Sequence, residues 1–165
     1  MTRYNSRYFT DLSHPAAQAY RILHVGFTVA PILFGLDKFF NFMVDWTKYL
    51  APWIPNLLHV SPQYFMYGVG VVEIAAGILV WFMPRYFAYV VTVWLWGIIV
   101  NLLTYSGYYD IALRDFGLSL GALALGRLAQ AHYAESHMIG ETETTYGETR
   151  TAPATATAGN ERRAA

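Results

Sequence analysis

Between Tyr64 and Met83 the chain reads YFMYGVGVVEIAAGILVWFM, an unbroken apolar run with a single charge, Glu73, near its middle. A helix rises about 1.5 Å per residue and the hydrocarbon core of a bilayer is roughly 30 Å thick, so this run is long enough to cross it. Glu73 then lies about 14 Å from the outer end of the span, close to the midplane. An acidic side chain at that depth costs about 2.5 to 3.5 kcal/mol on insertion scales, so it must be protonated, paired or turned to a polar interior. Gly70, Glu73 and Gly77 share one helical face at i, i+3 and i+7, where small residues let a neighbouring backbone come close. Glu73 is therefore expected to face other helices and not lipid.

The composition agrees. The 165 residues are 55% hydrophobic, 17% aromatic and only 13% charged, with a mean hydropathy of +0.28, too apolar and too charge-poor for an ordinary soluble domain. Net charge is zero, which gives no encouragement for nucleic acid binding, since that needs a basic face. Cysteine is absent, which removes disulfides, thiolate metal sites, cysteine-ligated iron–sulfur clusters and CxxC redox pairs from this chain. A redox role would have to use a bound cofactor or a partner.

Four spans are predicted, at about 22–42, 64–83, 86–105 and 111–129, making an all-α integral membrane four-helix bundle. A polar segment, 1–20, precedes them, with Pro15 as a helix start, and no small-residue cleavage site follows the first apolar run, which reads as a retained anchor. In the first span Gly26 and Ala30 offer a small-xxx-small contact, and Pro31 a possible kink. Between the first two spans, MVDWTKYLAPWIPNLLHVSPQ carries three prolines and two tryptophans, so it reads as an interfacial, proline-broken segment at headgroup level. Gly117 and Gly121 offer a GxxxG face on the fourth span. From 134 to 165 the chain is rich in Thr, Ala, Glu and Gly and reads as a disordered tail. Arg3, Arg7, Arg21, Arg85 and Arg127 fall at one end of the spans against Lys38, Lys48 and Arg114 at the other, which predicts cytoplasmic termini.

This topology places Asp37, Lys38, Asn101, Arg114 and Asp115 at similar depth, with Glu73 slightly deeper. Three carboxylates face two cations, and desolvation with like charge favours a neutral carboxyl, so Glu73 is the candidate to hold or exchange a proton. Two readings stand open. One is a polar pocket opening outward that takes a quinone-like head group or relays a proton. The other is a buried ion-pair network, Glu73 with Arg114 and Asp37 or Asp115 with Lys38, that fixes helix register; Lys38 could also snorkel to the interface. His24 and His132 fall on the same side and are a conceivable bis-histidine haem pair. No histidine or carboxylate pair has metal-ligand spacing inside a span.

The FGLDKF end of the first span, the VGVVEIAAGILVWF span with its glutamate, and ALRDFGLSLGALALG at the start of the last span resemble the DoxX-like membrane proteins, related to the DoxD subunit of thiosulfate:quinone oxidoreductase. The resemblance covers roughly residues 20 to 130 and matches at Lys38, Glu73, Arg114 and Asp115. It implies a four-helix membrane fold in the bacterial inner (cytoplasmic) membrane and association with redox systems. The expected function is an accessory or quinone-interacting subunit of a respiratory or sulfur-oxidising complex, with lipid and other membrane or redox subunits as partners, or a second copy of itself. A structural or assembly subunit using the aromatic surface around Trp94 and Trp96, and a small transporter, are the alternatives. No nucleophile with its base, phosphate loop or nucleotide fold is present, so the chain is not expected to be an enzyme on its own.

Overall fold

The computed structural model describes residues 14–105 and 107–151, with the backbone alone for 142–151. Among these the fold is all-helical. Helix α1 runs Pro15–Phe40, α2 is the short Trp53–Leu58, α3 is Pro62–Phe82, α4 is Pro84–Leu103 and α5 is Tyr109–Thr151; a 3-10 turn, Trp46–Tyr49, precedes α2. Three of them, α1, α3 and α4, are long and apolar enough to cross a membrane. Their outer surfaces are apolar too. Ile22, Phe82 and Val93 are each more than 70% exposed, an arrangement that water penalises and hydrocarbon accepts.

Each of α1, α3 and α4 begins on a proline, which suits the first turn because the missing N–H has no partner there anyway. Ser61 caps α3 through the Tyr64 amide and the His14 imidazole caps α1 through the Ala16 amide. The first expected span therefore starts earlier, at Pro15, and ends at Phe40, where Asn41 adopts a left-handed conformation with φ 49°. Pro31 stays inside the helix.

The long helices alternate in direction. α1 packs chiefly on α3 and α4 on α5, while α3 with α4 and α1 with α5 close the arrangement. The α1–α3 seam is the tightest. A Cβ at Gly35 would lie 2.6 Å from the Gly70 carbonyl oxygen, one at Gly70 2.7 Å from the Gly35 carbonyl oxygen, and one at Gly77 2.6 Å from that of Thr28. The expected Gly26 and Ala30 contact is not used: nothing lies within 4 Å of a Cβ at Gly26, because the packing face of α1 runs through Thr28, Gly35 and Lys38. On α5, Gly121 meets Phe27 while Gly117 is open. The core at one end joins Val80, Ala88, Val91, Ala122 and Leu125, and a smaller one at the other joins Ile99, Leu102 and Ala112.

Helix α5 corrects the expectation of a disordered tail from 134. It continues to Thr151, two residues before Pro153, the first proline after Pro84. Once a helix exists, extending it adds a hydrogen bond for each residue fixed, so a polar sequence without proline propagates it. The N-terminal segment before His14 and the rest of the tail, 152–165, lie outside the described residues.

The glycine seam yields a direct contrast. Gly35→Ala or Gly77→Ala should lower stability by about 1 to 3 kcal/mol through overpacking. Gly97→Ala, with open space around it, should be neutral or gain up to about 1 kcal/mol from helix propensity. Thermal unfolding in one detergent measures all three variants.

Candidate functional site

The close approach of α1 and α3 decides which charged side chains meet. Gly35 touches Gly70 where α1 and α3 run antiparallel, so Lys38 and Glu73 stand one turn to either side of that contact, and each side chain, leaning toward the N-terminus of its own helix, reaches back toward the other. Lys38 Nζ donates to Glu73 Oε2 at 2.6 Å, with side-chain exposures of 4% and 12%. Lys38 thus does not snorkel to the interface. An ammonium has a better partner within reach than the longer path to water, because the glycines set the two backbones in contact.

Asp115 completes the group from α5. It falls on the buried stripe of Ala112, Asp115, Ser119, Ala122 and Ala129 and interacts electrostatically with both Lys38 and Glu73. Arg114, one residue off that stripe, turns outward: its side chain is 65% exposed and its Nε lies 3.6 Å from Asp115 Oδ1. The expected Glu73 with Arg114 pairing is therefore not formed, and Lys38 takes Glu73 in place of Asp37.

Asp37 and Asn101 serve the connecting segment. Asp37 Oδ1 accepts from the Phe42 and Met43 amides, and Oδ2 from the Trp46 indole N–H at 2.8 Å. Asn101 accepts from the Ala51 amide and donates to the Tyr49 carbonyl. Asp45 starts the 3-10 turn by accepting from the Thr47 hydroxyl and amide, bonds that hold its carboxyl below the ordinary range. These bonds fold the segment over the bundle end. Trp46 consequently lies flat on Lys38, with Nζ 3.8 Å from the ring centroid, and Phe34 and Tyr49 pack edge-on against it. The expected pocket opening outward is thus covered at this point by an indole.

Sequence reasoning puts Trp46 at headgroup level without assigning it to the cluster. Its signal is indirect: an aromatic a few residues beyond an Asp-Lys pair in a last helical turn. The expected outer aromatic surface of Trp94 and Trp96 divides. Trp96 is exposed, but the Trp94 indole N–H is buried without a hydrogen-bond partner among the described residues. Counted from the Met83–Pro84 turn, Trp94 stands at the level of Glu73.

The two histidines do not offer themselves to one haem iron. His24 Nε2 lies 3.1 Å from the Val80 carbonyl oxygen and 3.2 Å from that of Trp81. Val80 would ordinarily bond the amide four residues on, which is Pro84 and has none, so the imidazole N–H supplies the missing donor. Tyr20 stands between, stacked on His24 at 5.4 Å and edge-on to His132 at 5.0 Å.

Comparison with protein-family models, with curated proteins and with solved structures finds no match.

Because the buried part of the cluster sets one ammonium against two carboxyl groups, with only the largely exposed Arg114 reaching Asp115 from outside, its variants should differ by charge balance. Lys38→Met, which leaves Glu73 and Asp115 facing each other, should destabilise the protein by about 3 to 5 kcal/mol. Glu73→Gln, which leaves one cation against one carboxylate, should cost clearly less. Midpoints of unfolding in mild detergent compare them; an equal loss in both would remove the charge-balance account.

Proposed function

We propose that this chain is a four-span integral membrane protein acting as a proton-exchanging, quinone-interacting accessory subunit of a membrane redox complex. The observation that carries this reading is the cluster of Lys38, Glu73 and Asp115, drawn from three helices: its buried part sets one ammonium against two carboxyl groups, with Arg114 largely exposed and 3.6 Å from Asp115, which makes it a place for an interior proton. Quinone reduction takes up protons together with electrons, and its oxidation releases them, so a proton held inside an apolar bundle suits that chemistry. The unpartnered Trp94 N–H at the same level is the donor this chain offers to a quinone carbonyl oxygen. Trp46 over Lys38 excludes water from the pair and would have to move for a head group to enter beside it. Without cysteine the chain supplies no thiolate electron carrier, so electrons come from a partner subunit. The resemblance to the DoxX-like proteins at Lys38, Glu73, Arg114 and Asp115 supports the redox setting.

The fourth span is the first part of α5. It carries more charge than the other three helices, but Asp115 faces inward and the segment closes the arrangement between α4 and α1. Arg21, Arg85 and Arg127 then lie at one end. At the other, Lys38 is consumed by its ion pair and no longer counts as a flanking charge, which strengthens the bias toward cytoplasmic termini in a bacterial inner membrane.

A second reading is favoured by how closed the pair is. With Lys38 and Glu73 nearly inaccessible under Trp46, the cluster would only lock α1 against α3 in an assembly subunit. The two readings separate on Glu73→Gln and Trp94→Phe in the complex isolated from the native host. Under the redox reading both variants stay inserted and assembled while quinone-dependent turnover falls, by about a hundredfold or more in Glu73→Gln, the scale of a lost proton-transfer group, and by about tenfold in Trp94→Phe, the scale of a lost hydrogen bond. Wild-type turnover in both would leave the assembly reading.

A further inference from the structure

A second polar site lies at the other end of the molecule. We propose that the cavity between the α3–α4 turn and α5 binds the phosphate of an anionic phospholipid. This cavity of about 330 Å3 is lined by Arg85, His132, Tyr20 and Tyr133 on its polar side and by Phe82 and Met83 among its apolar walls. Its size falls within the range of small-ligand sites.

Arg85 is the residue on which the site turns. Among the described residues no carboxylate pairs with it. Its guanidinium instead lies 3.8 Å from the Tyr133 ring centroid and 4.5 Å from that of Tyr86. Contacts with rings use none of the hydrogen-bond donors of the guanidinium, so its N–H fork is left for a bidentate acceptor, and two phosphate oxygens match that fork. Glu135, one turn beyond His132, is buried and does not line the cavity, so no acid from the lining competes for the cation.

The apolar side says which phosphate. Phe82 and Met83 line the cavity and are also exposed on the outer surface, beside the exposed Trp81 and Tyr86. A phosphate seated on Arg85 therefore has an apolar path leading away from it, suited to acyl chains and of no use to a free anion. The turn itself is held in shape by His24 on the Val80 and Trp81 carbonyls. With the termini cytoplasmic, the site faces the cytoplasmic leaflet, where basic pockets meet anionic head groups.

The test is native mass spectrometry of the full chain in a nonionic detergent, with phosphatidylglycerol and phosphatidylcholine added at equal concentration. Wild type should retain one phosphatidylglycerol at about fivefold or greater preference. Arg85→Gln should lose that preference, and Arg127→Gln, which removes an exposed arginine nearby, should keep it. Equal retention of the two lipids by wild type would overturn the proposal without recourse to any variant. So would an unchanged preference in Arg85→Gln, or an equal loss in Arg127→Gln, which would mark mere surface charge. Millimolar inorganic phosphate should fail to displace the lipid; if it does displace it, the site takes free phosphate and the assignment to lipid falls.

Discussion

The contact on which the rest depends is backbone on backbone, where α1 meets α3. Gly35 and Gly70 touch through their carbonyls, and Gly77 admits the carbonyl of Thr28. At that separation van der Waals packing is dense although the contacting residues are small, which is how helices associate where the surrounding medium is as apolar as they are. The approach also sets the electrostatics. Lys38 is delivered to Glu73 by the same geometry, and a charge pair that would be weak at an exposed surface becomes costly to break once both members are out of water.

The connecting segment takes its course from the ends of these helices. Helix α1 stops at a left-handed Asn41, and the orphaned amides of Phe42 and Met43 fall to the Asp37 carboxylate, which also takes the Trp46 indole. One side chain thereby finishes a helix, starts a loop and sets an aromatic ring on the neighbouring lysine. At the opposite end a similar economy operates. Pro84 begins α4 well but deprives Val80 of a donor, and His24 reaches across from α1 to provide it.

Much of this is legible in the sequence, and the exceptions share a cause. The inward face of Glu73 is readable because Gly70 and Gly77 flank it at helical spacing. Which cation it meets is not, since Lys38 and Arg114 lie at similar depth and only the choice of Gly35 over Gly26 as the contact point decides between them. Depth is a one-dimensional quantity set by counting residues, whereas pairing depends on the rotation of each helix about its axis. Arg114 and Asp115 illustrate this: adjacent in sequence, they differ by about 100° around α5, and one is exposed while the other is buried. Trp94 and Trp96 divide in the same way. The helix beyond 134 escapes the sequence reading for another reason. Composition measures what a segment can bury, and says little about a segment that continues a helix already begun.

That helix has a geometric consequence. At about 1.5 Å per residue, the 43 residues of α5 extend about 65 Å, roughly twice the thickness of a hydrocarbon core. The 26 residues of α1, the longest of the other helices, extend only about 39 Å, so α5 runs on past the bundle as one continuous rod with a single rotational phase. The distance and azimuth of its far end are thus dictated by the residues that seat its first part on α4, so α5 serves as a ruler as much as a packing element.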